Sequence, residues 1–222
     1  MMNLPLECVV VETGNRPEAC VVWLHGLGAD GYDFVPVVKE LHQLGIPSTR
    51  FVFPHAPHIA VSINGGYIMP AWYDIRNVDL QRQEDEDGLR KSQAEVEQVI
   101  EAQIALGYSP DQIVLAGFSQ GGAITYQVGL RGKHRLGGLI ALSTYLPCES
   151  SLEAELNSTN LSVPVLAAHG VQDDIVLMAR GEKAVNLLKE RGFKVEWHTY
   201  PMAHSVCGEE LEAIAEFLKR LI

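Results

Sequence analysis

The sequence predicts an α/β fold with a mostly parallel central sheet that is covered by helices on both faces. Short β-branched runs recur along the chain and alternate with segments of helical period, the arrangement that builds a parallel sheet. Several of these runs, such as Val163–Ala168, are apolar throughout instead of alternating. A strand reads this way when both faces of its sheet are buried.

The strands and helices can be placed in order from these patterns. Strands are predicted at residues 8–11, 20–24, 51–53, 113–116, 138–142, 163–168 and 195–199. One helix is predicted from about residue 34, and a second over residues 96–104, which Gly107 would end. Two further helices are predicted over residues 120–130 and 211–221. The longest segment without predicted structure is 54–86, and a loop of that length in a compact domain is typical of a functional segment.

The composition narrows the classes of function. The 222 residues, 47% of them hydrophobic, predict a single domain over 1–222. No apolar run reaches the ~20 residues of a membrane span, and no basic residue precedes Arg16 as in a signal peptide, so we expect a cytoplasmic protein without stable membrane insertion. A net charge of -11 argues against nucleic acid as a partner. A homodimer is compatible with the sequence, which does not specify the oligomeric state.

One short motif carries a chemical prediction. Residues Gly117-Phe118-Ser119-Gln120-Gly121 match G-x-S-x-G between a predicted strand and a predicted helix. In that context the serine lies on a sharp turn that exposes its hydroxyl, and side chains two positions before or after it would collide, which explains the glycines. The same turn directs the backbone N–H of Gln120 to the place where an oxyanion would form.

A nucleophilic serine needs a histidine base that follows it in the chain. His198 lies in a strand on the same face as Lys194 and Glu196, so we expect it to be exposed. His169 ends a strand, where a structural hydrogen bond is expected. His204 remains, in a loop after the last strand, where the carboxyl end of a parallel strand can bring it to the serine.

The acid of the set has two candidates on position alone. Asp173 and Asp174 are adjacent in the loop after the strand 163–168, and their side chains cannot both point at the same imidazole. The acid would hold the tautomer of His204 and stabilise the imidazolium that forms.

A second glycine motif suggests a different chemistry. Gly26-Leu-Gly-Ala-Asp-Gly31 matches the dinucleotide fingerprint, but the next strand, Arg50–Pro54, lacks the carboxylate that would bind the ribose. The alternative is that this turn supplies a second oxyanion donor from the N–H of Leu27, with His25 bracing the turn. No cofactor is predicted, and no metal, because His55 and His58 have no evident third ligand.

Five motifs in the same order resemble a known family. They are Trp23–Asp30, Asn64–Asp74, Ala116–Gly122, His169–Asp173 and Tyr200–His204. Together they resemble the phospholipase/carboxylesterase family of small α/β-hydrolases, which includes bacterial carboxylesterases and acyl-protein thioesterases. The resemblance implies the α/β-hydrolase fold, a triad of Ser119, Asp173 and His204, and oxyanion donors at Leu27 and Gln120. It thereby favours Asp173 over Asp174. Ala203 and Leu177 depart from the family pattern and bear on substrate preference.

The resemblance also implies a groove for an acyl chain. Its predicted wall consists of Ile63, Met69, Trp72, Tyr73, Leu146, Ile175 and Val176. Trp72 and Tyr73 could equally anchor the long loop to the core. The predicted function is a serine carboxylesterase that hydrolyses short- to medium-chain acyl esters through an acyl-enzyme. Alternatives are an acyl-protein thioesterase or a lysophospholipase with the same triad, and, more remotely, a non-catalytic binding protein or a nicotinamide-dependent oxidoreductase.

Overall fold

The structure, a computed structural model, describes residues 6–77 and 83–222. Its central sheet has seven strands, which are β1 (Cys8–Glu12), β2 (Ala19–Leu24), β3 (Thr49–Pro54), β6 (Ile113–Phe118), β7 (Gly138–Leu142), β8 (Val165–Gly170) and β9 (Val195–Tyr200). Their order across the sheet is β1-β3-β2-β6-β7-β8-β9. The strands β4 (His58–Val61) and β5 (Tyr67–Pro70) form a separate two-stranded sheet. Among the described strands, β1 alone pairs antiparallel within the central sheet. The predicted mostly parallel sheet is therefore confirmed.

Six α-helices lie among the described residues. They are α1 (Val35–Gln43), α2 (Glu86–Ala105), α3 (Gln120–Arg131), α4 (Leu152–Glu155), α5 (Met178–Glu190) and α6 (Gly208–Leu221). Helices α4 and α5 were not predicted, although the buried residues Gly181, Ala184, Val185 and Leu188 of α5 recur at helical spacing. Within the described ranges, no helix has the length and apolar character to cross a membrane.

Helices cover both faces of the sheet, as the continuously apolar strands predict. On one face Val22, Leu115 and Val165 belong to a core that includes side chains of α2, α3 and α5. On the other face the neighbouring residues Val21 and Leu166 belong to a core with α1 and α6. The adjacent residues Val21 and Val22 point to opposite faces of the sheet, as do Val165 and Leu166. All four are fully buried, because helices cover both faces.

The segment 54–86 is more ordered than predicted. Strands β4 and β5 pair antiparallel from His58 opposite Pro70 to Val61 opposite Tyr67. Gly65 and Gly66, with φ of +67° and +79°, form the connecting turn. The sequence did not reveal this hairpin because its strands have four residues each and are largely exposed. The part of the predicted loop at residues 78–82 lies outside the described residues.

The parallel strands bring five loops to one edge of the sheet. Strands β2, β6, β7, β8 and β9 run in the same direction, so their carboxyl ends lie side by side. Of the residues predicted for the site, Ser119 directly follows β6, Asp173 lies in the loop after β8, and His204 lies in the loop after β9. In open α/β sheets this edge is where ligands bind.

Candidate active site

The turn at Ser119 is built by close backbone contacts. Ser119 has φ 54° and ψ -119°, a conformation that is rare for a residue with a side chain. Its backbone N–H donates to the carbonyl of Leu142 at 2.9 Å. A Cβ on Gly117 would lie 2.3 Å from the carbonyl oxygen of Gly121, and a Cβ on Gly121 would lie 2.4 Å from that of Leu24. Only glycine fits at these two positions.

Three side chains from separate loops form one row of hydrogen bonds. Nε2 of His204 lies 2.8 Å from Oγ of Ser119, and Nδ1 of the same ring lies 2.6 Å from Oδ2 of Asp173. The Ser119 hydroxyl therefore donates to an imidazole whose other nitrogen donates to a carboxylate. The ring of Phe118 packs against that of His204, with 4.7 Å between centroids.

The structure distinguishes the two adjacent carboxylates. Oδ1 of Asp173 accepts hydrogen bonds from the backbone N–H groups of Ile175 and Val176, at 2.9 and 2.8 Å. This side chain is completely buried and points to His204. Asp174 is exposed and lies in the wall of the adjacent cavity. Two amide donors and an imidazole thus hold Asp173 in place.

The other two candidate histidines lie outside the row. Nε2 of the buried His169 donates to the carbonyl of Val176 at 2.7 Å and lies 3.3 Å from Oδ2 of Asp173. Burial lowers the pKa of His169, which favours the neutral ring. His198 is half-buried, with its ring stacked on Tyr200, so the prediction of an exposed residue was wrong.

The turn after β2 lies directly against the serine. A Cβ on Gly26 would lie 3.5 Å from Cβ of Ser119, so the backbone around Leu27 lies beside the hydroxyl. His25 fixes this turn: its Nδ1 donates to the carbonyl of Gly26 at 2.8 Å, and its Nε2 accepts from the N–H of Ala56 at 3.0 Å. Burial lowers the pKa of His25, consistent with a neutral structural residue.

The segment after β5 is tied to the same turn by polar contacts. The N–H of Trp72 donates to Oε1 of Gln120 at 2.9 Å, and Nε2 of Gln120 donates to the carbonyl of Tyr73 at 2.7 Å. The indole N–H of Trp72 donates to the carbonyl of His25 at 2.9 Å. Trp72 is therefore an anchor of the loop, one of the two roles that the sequence left open.

A cavity of about 490 Å³ opens beside Ser119 and His204. Its wall includes the predicted residues Leu27, Ile63, Tyr73, Gln120, Ile175 and Val176. Among the described residues that line it, Met69, Trp72 and Leu146 are absent, and we correct these three predictions. Trp72 and Leu146 are buried in the core, and Sδ of Met69 accepts from the side-chain N–H of Asn64 instead.

Several wall residues were not predicted from the sequence. They include Ala29, Asp33, Asn64, Ile75, Phe118 and Tyr145. Tyr145 follows β7 at the edge where the other site loops begin, and this position was the signal that could have identified it. Within the described part of the chain, no cluster of three or more His, Cys, Asp or Glu side chains could hold a metal ion.

Fold and site together define a class of protein. A sharp strand-to-helix turn that carries a serine, followed along the chain first by an aspartate and then by a histidine, is the arrangement of the α/β-hydrolases. The family model described as Phospholipase/Carboxylesterase matches residues 6–222. The chain therefore belongs to the phospholipase/carboxylesterase family, as its motifs implied.

Individual relatives agree with this assignment. A protein named acyl-protein thioesterase 1 from Neurospora crassa is 41% identical, over 91% of this chain and 86% of its own length. A probable carboxylesterase SOBER1-like from Arabidopsis thaliana is 34% identical over 90% of this chain and 78% of its own. The crystal structure of Arabidopsis thaliana SOBER1 superimposes with a TM-score of 0.85 at 31% identity, covering 91% of this chain and 98% of that one. Thioesterases and carboxylesterases are both represented, so the chain is a hydrolase of this general type.

Proposed function

We propose that this protein is a serine carboxylesterase that hydrolyses short- to medium-chain acyl esters through a covalent acyl-enzyme. The observation that carries the proposal is the hydrogen-bonded row from Ser119 through His204 to Asp173. A hydroxyl becomes a useful nucleophile when a base lies within hydrogen-bond reach and a third group orients that base. The apolar cavity beside the serine supports an acyl chain as the part of the substrate that binds there.

The chemistry follows from these three side chains. Nε2 of His204 takes the proton of Ser119 as Oγ attacks the acyl carbonyl carbon. The tetrahedral intermediate then collapses, and the alcohol leaves with that proton, which produces the acyl-serine. Water enters, gives a proton to His204 and attacks the acyl carbon, and the carboxylic acid is released as Ser119 recovers its proton. Asp173 stabilises the imidazolium in both halves and keeps its own charge.

Two backbone amides are proposed to stabilise the developing oxyanion. The N–H of Gln120 is the first of α3, and the N–H of Leu27 comes from the turn beside Ser119. Both residues border the cavity that contains the hydroxyl. Donors of this kind each contribute ~2.7 to 4 kcal/mol to lowering the barrier.

A second candidate is an acyl-protein thioesterase with the same triad. Its support is the name of the Neurospora crassa relative, which shares 41% of its residues with this chain. A thioester needs the same nucleophile and oxyanion donors, and its thiol leaves more readily than an alcohol. The two candidates differ in the leaving group.

The first test is the variant Ser119→Ala. We expect kcat/KM for p-nitrophenyl butyrate to fall by about 10⁴-fold or more while the protein remains folded. A fluorophosphonate probe should form an adduct with the wild-type protein at Ser119 and none with the variant. Ser150→Ala, at an exposed serine, is the matched control and should keep full activity. Undiminished turnover by the Ser119 variant would refute the proposal.

The second test compares leaving groups on one acyl chain. Wild-type protein is assayed with butyryl and octanoyl oxygen esters, with the matching thioesters, and with an S-octanoylated peptide. A higher kcat/KM for the S-octanoylated peptide than for the octanoyl oxygen ester would favour the thioesterase. A higher kcat/KM for the oxygen ester than for the S-octanoylated peptide would favour the carboxylesterase.

A further inference from the structure

Two buried tyrosines form one wall of the acyl cavity. Tyr73 comes from the segment after β5 and Tyr145 from the loop after β7, and each is only 3% exposed. Their hydroxyl groups lie 2.7 Å apart, so one donates to the other. Burial raises the pKa of both phenols, and both therefore stay protonated and neutral.

The side chains of Tyr73 and Tyr145 lie between the apolar cavity and a layer of charged residues. Tyr73, Ile75 and Tyr145 line the cavity of Ser119 and also line a second, water-sized cavity of about 10 Å³. The other walls of that second cavity include Asp74, Arg76, Glu84 and Asp85. Within this layer Arg76 donates to Oδ1 of Asp85 at 2.7 Å, and the N–H of Asp74 donates to Oδ2 of the same carboxylate at 2.9 Å.

This arrangement gives the apolar cavity a closed end. An alkyl chain that passed the two rings would enter the layer of charged groups and would strip them of their polar contacts, which costs free energy. The two tyrosine hydroxyl groups hydrogen-bond to each other, and the backbone at each residue is anchored to the turn at Ser119. The carbonyl of Tyr73 accepts from Gln120, and Thr144, next to Tyr145, donates its hydroxyl to the carbonyl of Ser119 at 2.7 Å.

We propose that the Tyr73–Tyr145 pair is the end wall of the acyl site and sets the longest acyl chain that this hydrolase accepts. The proposal rests on the proposed function, because it places the acyl chain in the cavity of Ser119. It assigns the substrate class to short and medium acyl chains, with the limit set by the volume of two phenol rings. The charged layer behind them is the reason why the limit is sharp.

The test compares kcat/KM over p-nitrophenyl esters from acetate to dodecanoate. Each methylene that gains burial should raise kcat/KM about fourfold in the wild type until the chain reaches the wall. Tyr145→Ala removes a ring and makes room for at least two further methylenes. We therefore expect the ratio of dodecanoate to butyrate hydrolysis to rise about tenfold or more. Tyr145→Phe keeps the ring and should keep the wild-type limit.

Leu152→Ala is the matched control, because Leu152 is fully buried in the same core and is not among the described residues that line the cavity. Its chain-length profile should be that of the wild type. An unchanged profile in folded Tyr145→Ala would overturn the end-wall assignment, and so would an Ala-like shift in Tyr145→Phe. If the wild type hydrolyses no ester at all, the proposed function itself fails, which is a different result.

A structure of the wild-type adduct with an octyl fluorophosphonate tests the same proposal without relying on a variant. The methyl end of the chain should lie against the rings of Tyr73 and Tyr145. A chain whose methyl end lies in solvent, in contact with neither ring, would overturn the assignment.

Discussion

The turn at Ser119 and the β4–β5 hairpin both lie at the candidate site, but they differ in how tightly their residues are packed. The turn is held by backbone atoms at contact distance, and no side chain fits at Gly117 or Gly121. In the hairpin, Tyr67 and Ile68 are 70% and 62% exposed, and a Cβ on Gly65 would meet nothing within 4 Å. The chemical part of the site is thus specified by backbone geometry, whereas the outer part is specified by side chains that can be exchanged.

The largest expected effect comes from adding one methyl group to the turn. In Gly121→Ala the new Cβ would lie 2.4 Å from the carbonyl oxygen of Leu24, so the turn must move and carry Ser119 with it. A displacement of about 1 Å at a reacting atom can cost 100-fold, and we expect esterase activity to fall by at least that factor. Gly65→Ala, the same change in the hairpin, should cost only about 1 kcal/mol of stability for its positive φ and leave activity intact. Comparable activity in the two variants would show that the backbone contacts at Gly121 do not fix the geometry of Ser119.

The next effect tests the link between the two regions. Trp72→Phe removes the N–H that donates to the carbonyl of His25, and this leaves a buried carbonyl without that partner. We expect a loss of about 1–3 kcal/mol of unfolding free energy beyond that of the smaller ring, and a lower kcat because the Leu27 turn loosens. Trp23→Phe is the control, because Nε1 of the equally buried Trp23 makes no hydrogen bond within the described chain. Equal losses in urea titrations of both variants would show that the hydrogen bond adds nothing.

The same contrast explains what could be read from the sequence. The turn at Ser119 was predicted because its constraints are local: a strand, a glycine pattern and a helix follow one another within a few residues. His204 could be selected because the topology brings the ends of parallel strands together. Asp173 could not be separated from Asp174 by position, because the choice depends on the two amides of Ile175 and Val176 that bind its carboxylate.

The wall of the cavity was predicted less well, for a physical reason. Met69, Trp72 and Leu146 are apolar and close in sequence to residues that line the cavity, yet the direction of a loop side chain depends on contacts that are distant in sequence. Trp72 points to His25, 47 residues away in the chain. Tyr145 was missed for the converse reason, since its partner Tyr73 lies 72 residues away.

The loop that carries His204 is followed by a buried carboxylate, whose effect on the unfolding free energy can be measured as a function of pH. Glu210, in the first turn of α6 directly after this loop, is 1% exposed, and burial raises its pKa from 4.5 to about 8. The folded state then holds a proton that the unfolded chain has lost, so Glu210 makes the protein less stable as the pH rises from 4.5 to about 8. Glu210→Gln should therefore raise the unfolding free energy by about 1–2 kcal/mol at alkaline pH and by little near pH 4. Thermal melts across this range would contradict the assignment if the gain were the same at every pH.

The smallest effect is expected on the outer face of the hairpin. Ile68 lies on β5 opposite Ala60 and is mostly exposed, so Ile68→Ser should change the unfolding free energy by less than about 0.5 kcal/mol. Hydrolysis of the butyrate ester should remain within about twofold of the wild type, because exposed side chains contribute little to the geometry at Ser119. Ile63→Ser makes the same chemical change in a residue that borders the cavity, and it should raise KM for the octanoate ester by removing apolar wall. An equal loss of activity in the Ile68 and Ile63 variants would mean that exposed residues of the hairpin also affect binding of the acyl chain. The distinction between a fixed turn and an exchangeable outer wall would then be wrong.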